Sequence, residues 1–119
     1  MIFNSSKLKV CDNSGVKHVK CFKVFKSYAG TVGSLVYVSV KDNKNKSKVQ
    51  KGDIVKGIII RNKKCMNRFT GNYILFDFNE IVLLNDKYEL LGTRIFGPLP
   101  LELRKKNQLK LLSLASTLI

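Results

Sequence analysis

The chain has 119 residues, enough for one domain with a real core and too few for two comfortable ones. A hydrophobic fraction of 45%, with 8 glycines and 2 prolines, excludes a disordered or fibrous chain. Lys and Arg total 22 against 8 Asp and Glu, and the resulting net charge of +14 repels itself unless a polyanion neutralises it in use.

Nucleic acid is the leading polyanion, with an anionic membrane surface second. Lysine heavily outnumbers arginine, and Asn, Ile and Phe are plentiful, which reads as the coding bias of an A/T-rich genome such as an organelle's or a small parasite's. The 3 cysteines include no CxxC pair and sit in or beside apolar runs, so buried reduced thiols are expected. A zinc site built from Cys11, His18, Cys21 and Cys65 has the wrong spacings for the common closed sites, and no metal or cofactor is expected. No apolar run approaches the roughly 18 residues of a membrane span, and the N-terminal stretch lacks signal-peptide features.

In chain order, LKVC (8–11) reads as a short alternating strand. DNSG (12–15) is a turn, where Asp12 and Asn13 can bond nearby backbone and Gly15 tolerates positive φ. HVKCFKVF (18–25) is a second strand and YAGTVG (28–33) a second turn. SLVYVSVKD (34–42) gives the cleanest alternation, with Val36, Val38 and Val40 on one face and Tyr37, Ser39 and Lys41 on the other. A lysine-rich loop follows, closed by Gly52-Asp53.

IVKGIIIR (54–61) is almost wholly apolar, as in a strand covered on both sides, and Gly57 within it suggests a close backbone approach. After a basic loop, NYILFD (72–77) and EIVLLN (80–85) read as two further strands. This series predicts an all-β meander or barrel, whose closure would remove exposed edges. LGTRIFGPLP (91–100) is irregular, LELRKKNQ (101–108) forms a helical turn or two, and LKLLSLAS (109–116) is apolar enough to pack on the body.

Catalysis has little support. His18 is the one histidine and has no partner acid in sight, the acids are scattered singly, and neither a phosphate-cradling glycine loop nor a nucleophile motif occurs. Asp12, Asp53 and Asp86 read as turn or cap residues. The basic residues concentrate in two loops at opposite ends of one strand. Lys44, Lys46, Lys48 and Lys51 form one zone, and Arg61, Lys63, Lys64 and Arg68 the other, with no acid inside the second. Lysines there would contact phosphate as point charges. Lys17, His18, Lys20 and Arg94 are further candidates, although Arg94 could instead pin the GTRIFGP segment. Phe69, Tyr73 and Tyr28 could stack on bases, and Phe76 and Phe78 are expected in the core.

Several stretches carry a more specific signal: CDNSGVKHVKCFKV, KGDIVKGIIIRNKK, FDFNEIVLLN, and GTRIFGPLPLELR followed by LLSLA. In this order they resemble, over nearly the whole chain, the universal large-subunit ribosomal protein family that carries number fourteen. The family's signature reads here as Gly57, Ile58–Ile60, the basic loop, Thr70-Gly71, Phe76, Asn79 and Val82-Leu83. Thr70 stands where the family usually has Asp, Asn or Ser.

The resemblance implies a five-stranded β-barrel with a small C-terminal helical segment, and a structural rather than enzymatic role. Implied partners are large-subunit rRNA, neighbouring large-subunit ribosomal proteins, small-subunit rRNA across a bridge, and a ribosome-silencing factor, with no membrane. The implied protein-partner surface is Phe96, Pro98, Leu99, Pro100, Leu101 and Arg104. Pro100-Leu101 replaces the family's polar-basic pair, which implies loss of the silencing-factor contact or a more apolar partner. The family's fold begins near residue 7, leaving no room for a transit peptide. Together with the A/T-type composition this implies synthesis inside an organelle and a place in the ribosome of the mitochondrial matrix. A plastid or a bacterial cytoplasm is the alternative. The other functional class is a free single-stranded nucleic-acid-binding barrel module.

Overall fold

The computed structural model describes residues 2–3, 5–25, 28–43, 49–64, 66–68, 71–105, 109–114 and 117–119. Five strands close a barrel in the order β1 (Lys7–Val10), β2 (Val16–Val24), β3 (Leu35–Asn43), β4 (Ile54–Arg61) and β7 (Glu80–Leu84). Consecutive strands pair antiparallel, and β7 closes onto β1 in parallel. An odd number of alternating strands leaves its first and last pointing the same way, so one parallel seam is the cost of closure. Closure in turn leaves the barrel without an exposed edge.

The expected strand at 72–77 is not a barrel strand. Only β6 (Tyr73–Ile74) forms there, and it pairs with β5 (Met66–Asn67) in a small hairpin outside the barrel. The hairpin lies between β4 and β7 in sequence, so those two pair directly while the hairpin projects from their joint.

β3 alternates as expected, with Val36, Val38 and Val40 fully buried inside the barrel. β2 breaks alternation where its pairing with β3 shifts register, between Val16 and Val19 and again between Cys21 and Lys23. Each irregularity lets two consecutive residues face outward, Lys17-His18 and Phe22-Lys23, while Val16, Val19, Cys21 and Val24 stay inside. β7 and the second half of β4, from Gly57 on, are covered on both faces. Ile59, Ile81 and Leu83 point into the barrel, while Ile58, Ile60, Val82 and Leu84 join a second core outside it.

Ile95, Leu99, Leu103 and Leu111 supply the other side of that second core. They belong to the segment after residue 90 and to two short helices, α1 (Glu102–Lys105) and α2 (Leu109–Leu114). The C-terminal residues are tied in by backbone bonds from Leu99 N to Thr117 O (2.9 Å) and from Ile119 N to Leu99 O (2.9 Å). Among the described residues no helix is long and apolar enough to cross a membrane.

Candidate nucleic-acid interface

The CDNSG turn is a hub. Asp12 caps Ser14, its Oδ1 accepting from Ser14 N at 3.1 Å, and its Oδ2 accepts from Leu83 N on β7 at 3.1 Å. Asn13 Oδ1 accepts from Thr93 N (2.7 Å) and Arg94 N (3.1 Å), and Phe96 N donates to Cys11 O (2.8 Å). A Cβ on Gly92 would meet Asn13 Oδ1 at 2.6 Å. CDNSG and GTRIFGP, about 80 residues apart, are therefore one structural unit in space.

The two arginines of the basic turn are not free. Arg61 is buried and opposes Glu80 across β4 and β7, where the register shifts just before it. Its guanidinium ion-pairs with Glu80 through Nη1 and donates through Nη2 to the carbonyl of Phe96. Gly97, at φ +85°, lies so close that a Cβ would meet Nη1 at 2.6 Å. Arg61, rather than Arg94, pins the GTRIFGP segment, and the side of Arg94 is left exposed. Arg68 reaches α1, with Nε 2.6 Å from Glu102 Oε1, and its Nη2 donates to Ile119 O at 2.6 Å. Although the loop holds no acid of its own, both arginines are paired within the chain, because the pairing acids come from distant strand and helix positions.

Lysines behave oppositely. Lys63 and Lys64 are exposed, and their backbone is fixed: Lys63 N donates to Asn79 Oδ1 (2.8 Å) and Lys64 N to Asn62 Oδ1 (3.1 Å). Asn79 thus serves to hold the basic turn. Lys51 is exposed at the opposite end of β4, about 25 Å away for a strand of this length. Lys44, Lys46 and Lys48 lie outside the described residues, as do Cys65, Phe69 and Thr70.

Lys17 and His18 are exposed on the outer face of β2, with Lys20 half-buried beside them. His18 Nδ1 lies 3.5 Å from Asp42 Oδ2. The register sets Lys9 opposite His18 and Lys7 opposite Lys20, so β1 and β2 share one basic outer face. Lys7 and Lys9 were not among the candidates, although the alternation of KLKV carries the signal: Leu8 and Val10 point inward, which forces both lysines out. Lys7, Lys9, His18 and Lys63 converge on a cleft of about 380 Å³ whose wall is Asp77–Asn79. Phe78, expected in the core, is 57% exposed there, with Lys9 Nζ 4.9 Å from its ring centre. It falls in the bent joint between the hairpin and β7, where no barrel face is available to it. Phe76 is half-buried, and Tyr73 and Tyr28 are exposed.

The expected protein-partner surface is only partly a surface. Phe96 and Leu101 are exposed and Pro98 is half-buried. Leu99 is fully buried in the second core and Pro100 is buried next to it, so neither presents a side chain to a partner. The side chain of Arg104 lies outside what is described. Cys11 and Cys21 are buried free thiols. Burial pushes the Cys11 thiol up to about 12, against the opposing pull of the Arg61 guanidinium.

The barrel, the Gly57–Asn79 signature and the union of CDNSG with GTRIFGP coincide with a sequence match to the family model described as ribosomal protein L14p/L23e, which extends over residues 1–119. That family is structural and places its members in the ribosome, among rRNA and ribosomal proteins. The chain belongs to the ribosomal protein L14p/L23e family and is a structural constituent of the large ribosomal subunit.

Proposed function

We propose that this chain binds large-subunit rRNA at the intersubunit face, supports assembly there, and contributes to a bridge to small-subunit rRNA. The observation that carries the reading is a division of labour among the cations. The buried Arg61 and the half-buried Arg68 are spent on internal acids, whereas Lys7, Lys9, Lys17, Lys51, Lys63 and Lys64 are exposed. Phosphate contacts of this kind position a protein without reading sequence. Lys51 and Lys63 lie at opposite ends of β4, which suits a barrel wedged between separate RNA segments. The exposed Phe96 and Leu101 suit a more apolar partner protein, with a silencing factor as the candidate. The A/T-type composition favours an organelle ribosome, that of the mitochondrial matrix.

The test is retention in the large subunit under rising salt. Replacing Lys7, Lys9 and Lys63 together by Gln should lower the salt at which the chain is released, and should reduce the slope of log affinity against log salt by about 2–3. Release at the same salt as the unmodified chain would show that these lysines do not meet RNA.

A further inference from the structure

The cleft at Lys9 and Phe78 combines features that a phosphate-binding surface alone does not need. Three lysines and His18 surround it, against one acid, Asp77. Phosphate would satisfy the lysines, but it gives nothing to an aromatic ring that is 57% exposed. The ring is not idle surface: the Lys9 ammonium stands 4.9 Å from its centre, so Phe78 sits within the positive field rather than apart from it. Its position is fixed by Asn79, whose Oδ1 is held by Lys63 N at 2.8 Å. That bond also ties the aromatic joint to the basic turn. A cleft of about 380 Å³ is at the small end of ligand sites, a size suited to one planar group.

A ligand with both an anionic backbone and a planar π-face is a nucleotide. In a duplex the base faces are stacked away, and double-stranded RNA is met through its phosphates and 2′-hydroxyls. Only an unpaired nucleotide can offer its face to Phe78. We propose that this cleft captures one unstacked rRNA nucleotide, its base stacked on Phe78 and its flanking phosphates on Lys7, Lys9 and Lys63. The Asn79 amide N–H₂ and the Asp77 carboxylate lie at the same wall, as donor and acceptor for the base edge. This capture rests on the rRNA-binding reading above and narrows it to a single-stranded element at one point of the barrel.

The test uses purified large subunits carrying the full chain, either unmodified or as Phe78→Leu or Phe78→Tyr, with ultraviolet crosslinking and mass spectrometry. Mass spectrometry also reports whether each variant is present in the subunit. The expected result is a nucleotide adduct within residues 77–79, at a position unpaired in the rRNA. Phe78→Tyr keeps the adduct. Phe78→Leu, which keeps apolar bulk and removes the π-face, loses it and raises the chemical reactivity of that base about tenfold or more, as expected from the strength of base–aromatic stacking. Subunits that contain the chain but give no RNA adduct at 77–79 overturn the capture and leave the ribosomal reading intact. So does an adduct to a paired base that is indifferent to Phe78→Leu, or a protein seated in the cleft. Absence of the unmodified chain from large subunits overturns both.

Discussion

Two side chains define what single residues do here, Arg61 and Cys11. The Arg61–Glu80 pair is almost out of water, with side chains 9% and 10% exposed, so desolvation opposes it and only good pairing holds it. Removing one partner strands the other. Glu80→Ala should destabilise the fold by about 3–5 kcal/mol in urea unfolding, because a buried guanidinium remains. The double replacement Arg61→Met with Glu80→Leu should recover most of that loss, since a packed apolar pair needs no counter-charge. Cys11 gives a pH signature. Its thiol stays protonated in the fold up to about 12, against 9.0 in the open chain. Below pH 9 both states hold the proton. Above it the unfolded chain ionises first, so this group's share of stability falls by about 1.4 kcal/mol per pH unit. Cys11→Ala should lack that component, which the difference between the two stability profiles from pH 8 to 10 measures.

At the scale of elements, the barrel depends on close passage of β4 over β7. A Cβ on Gly57 would lie 2.5 Å from Ile81 Cδ1 and 3.0 Å from the Val82 carbonyl oxygen. Gly57→Ala should therefore cost about 1–3 kcal/mol through overpacking, read as a lower urea midpoint. Ile81→Val, which deletes Cδ1, should restore part of it. Gly57 was legible in the sequence because a glycine in an otherwise apolar strand needs a steric reason, and β3 was legible because one buried face imposes a period of two. β2 was harder, since its bulges break the period and place lysine and histidine side by side. The 72–77 stretch misled for the opposite reason: an apolar run can belong to a two-residue hairpin arm when another strand already occupies the barrel position. The pairing of Arg61 with Glu80 and of Arg68 with Glu102 was invisible, because local charge counts do not see partners 19 and 34 residues away. Leu99 looked like surface for a similar reason, as the second core that buries it gathers residues from Cys11 and Val32, from β4 and β7, and from the segment between Ile95 and Leu111, with Pro100 buried next to it.

For the whole molecule, two cores share one pair of strands. The barrel interior is closed by β1–β4 and β7, and the outer face of β4–β7 is sealed by the C-terminal segment. Arg61, at Phe96, and Arg68, at Glu102 and Ile119, fasten that segment, which among the described residues leaves exposed positive charge on lysines such as Lys7, Lys9, Lys17, Lys51, Lys63 and Lys64 and on Arg94. A net charge of +14 on 119 residues is a self-repelling surface, and an RNA partner both neutralises it and makes association steeply dependent on salt. The most direct test of that account is gradient sedimentation of native lysate, following this chain at moderate and high salt, with and without RNase. The account predicts co-migration with the large subunit at moderate salt and release by RNase. Migration as a free small protein under every condition would contradict it and would favour a free single-strand-binding barrel instead.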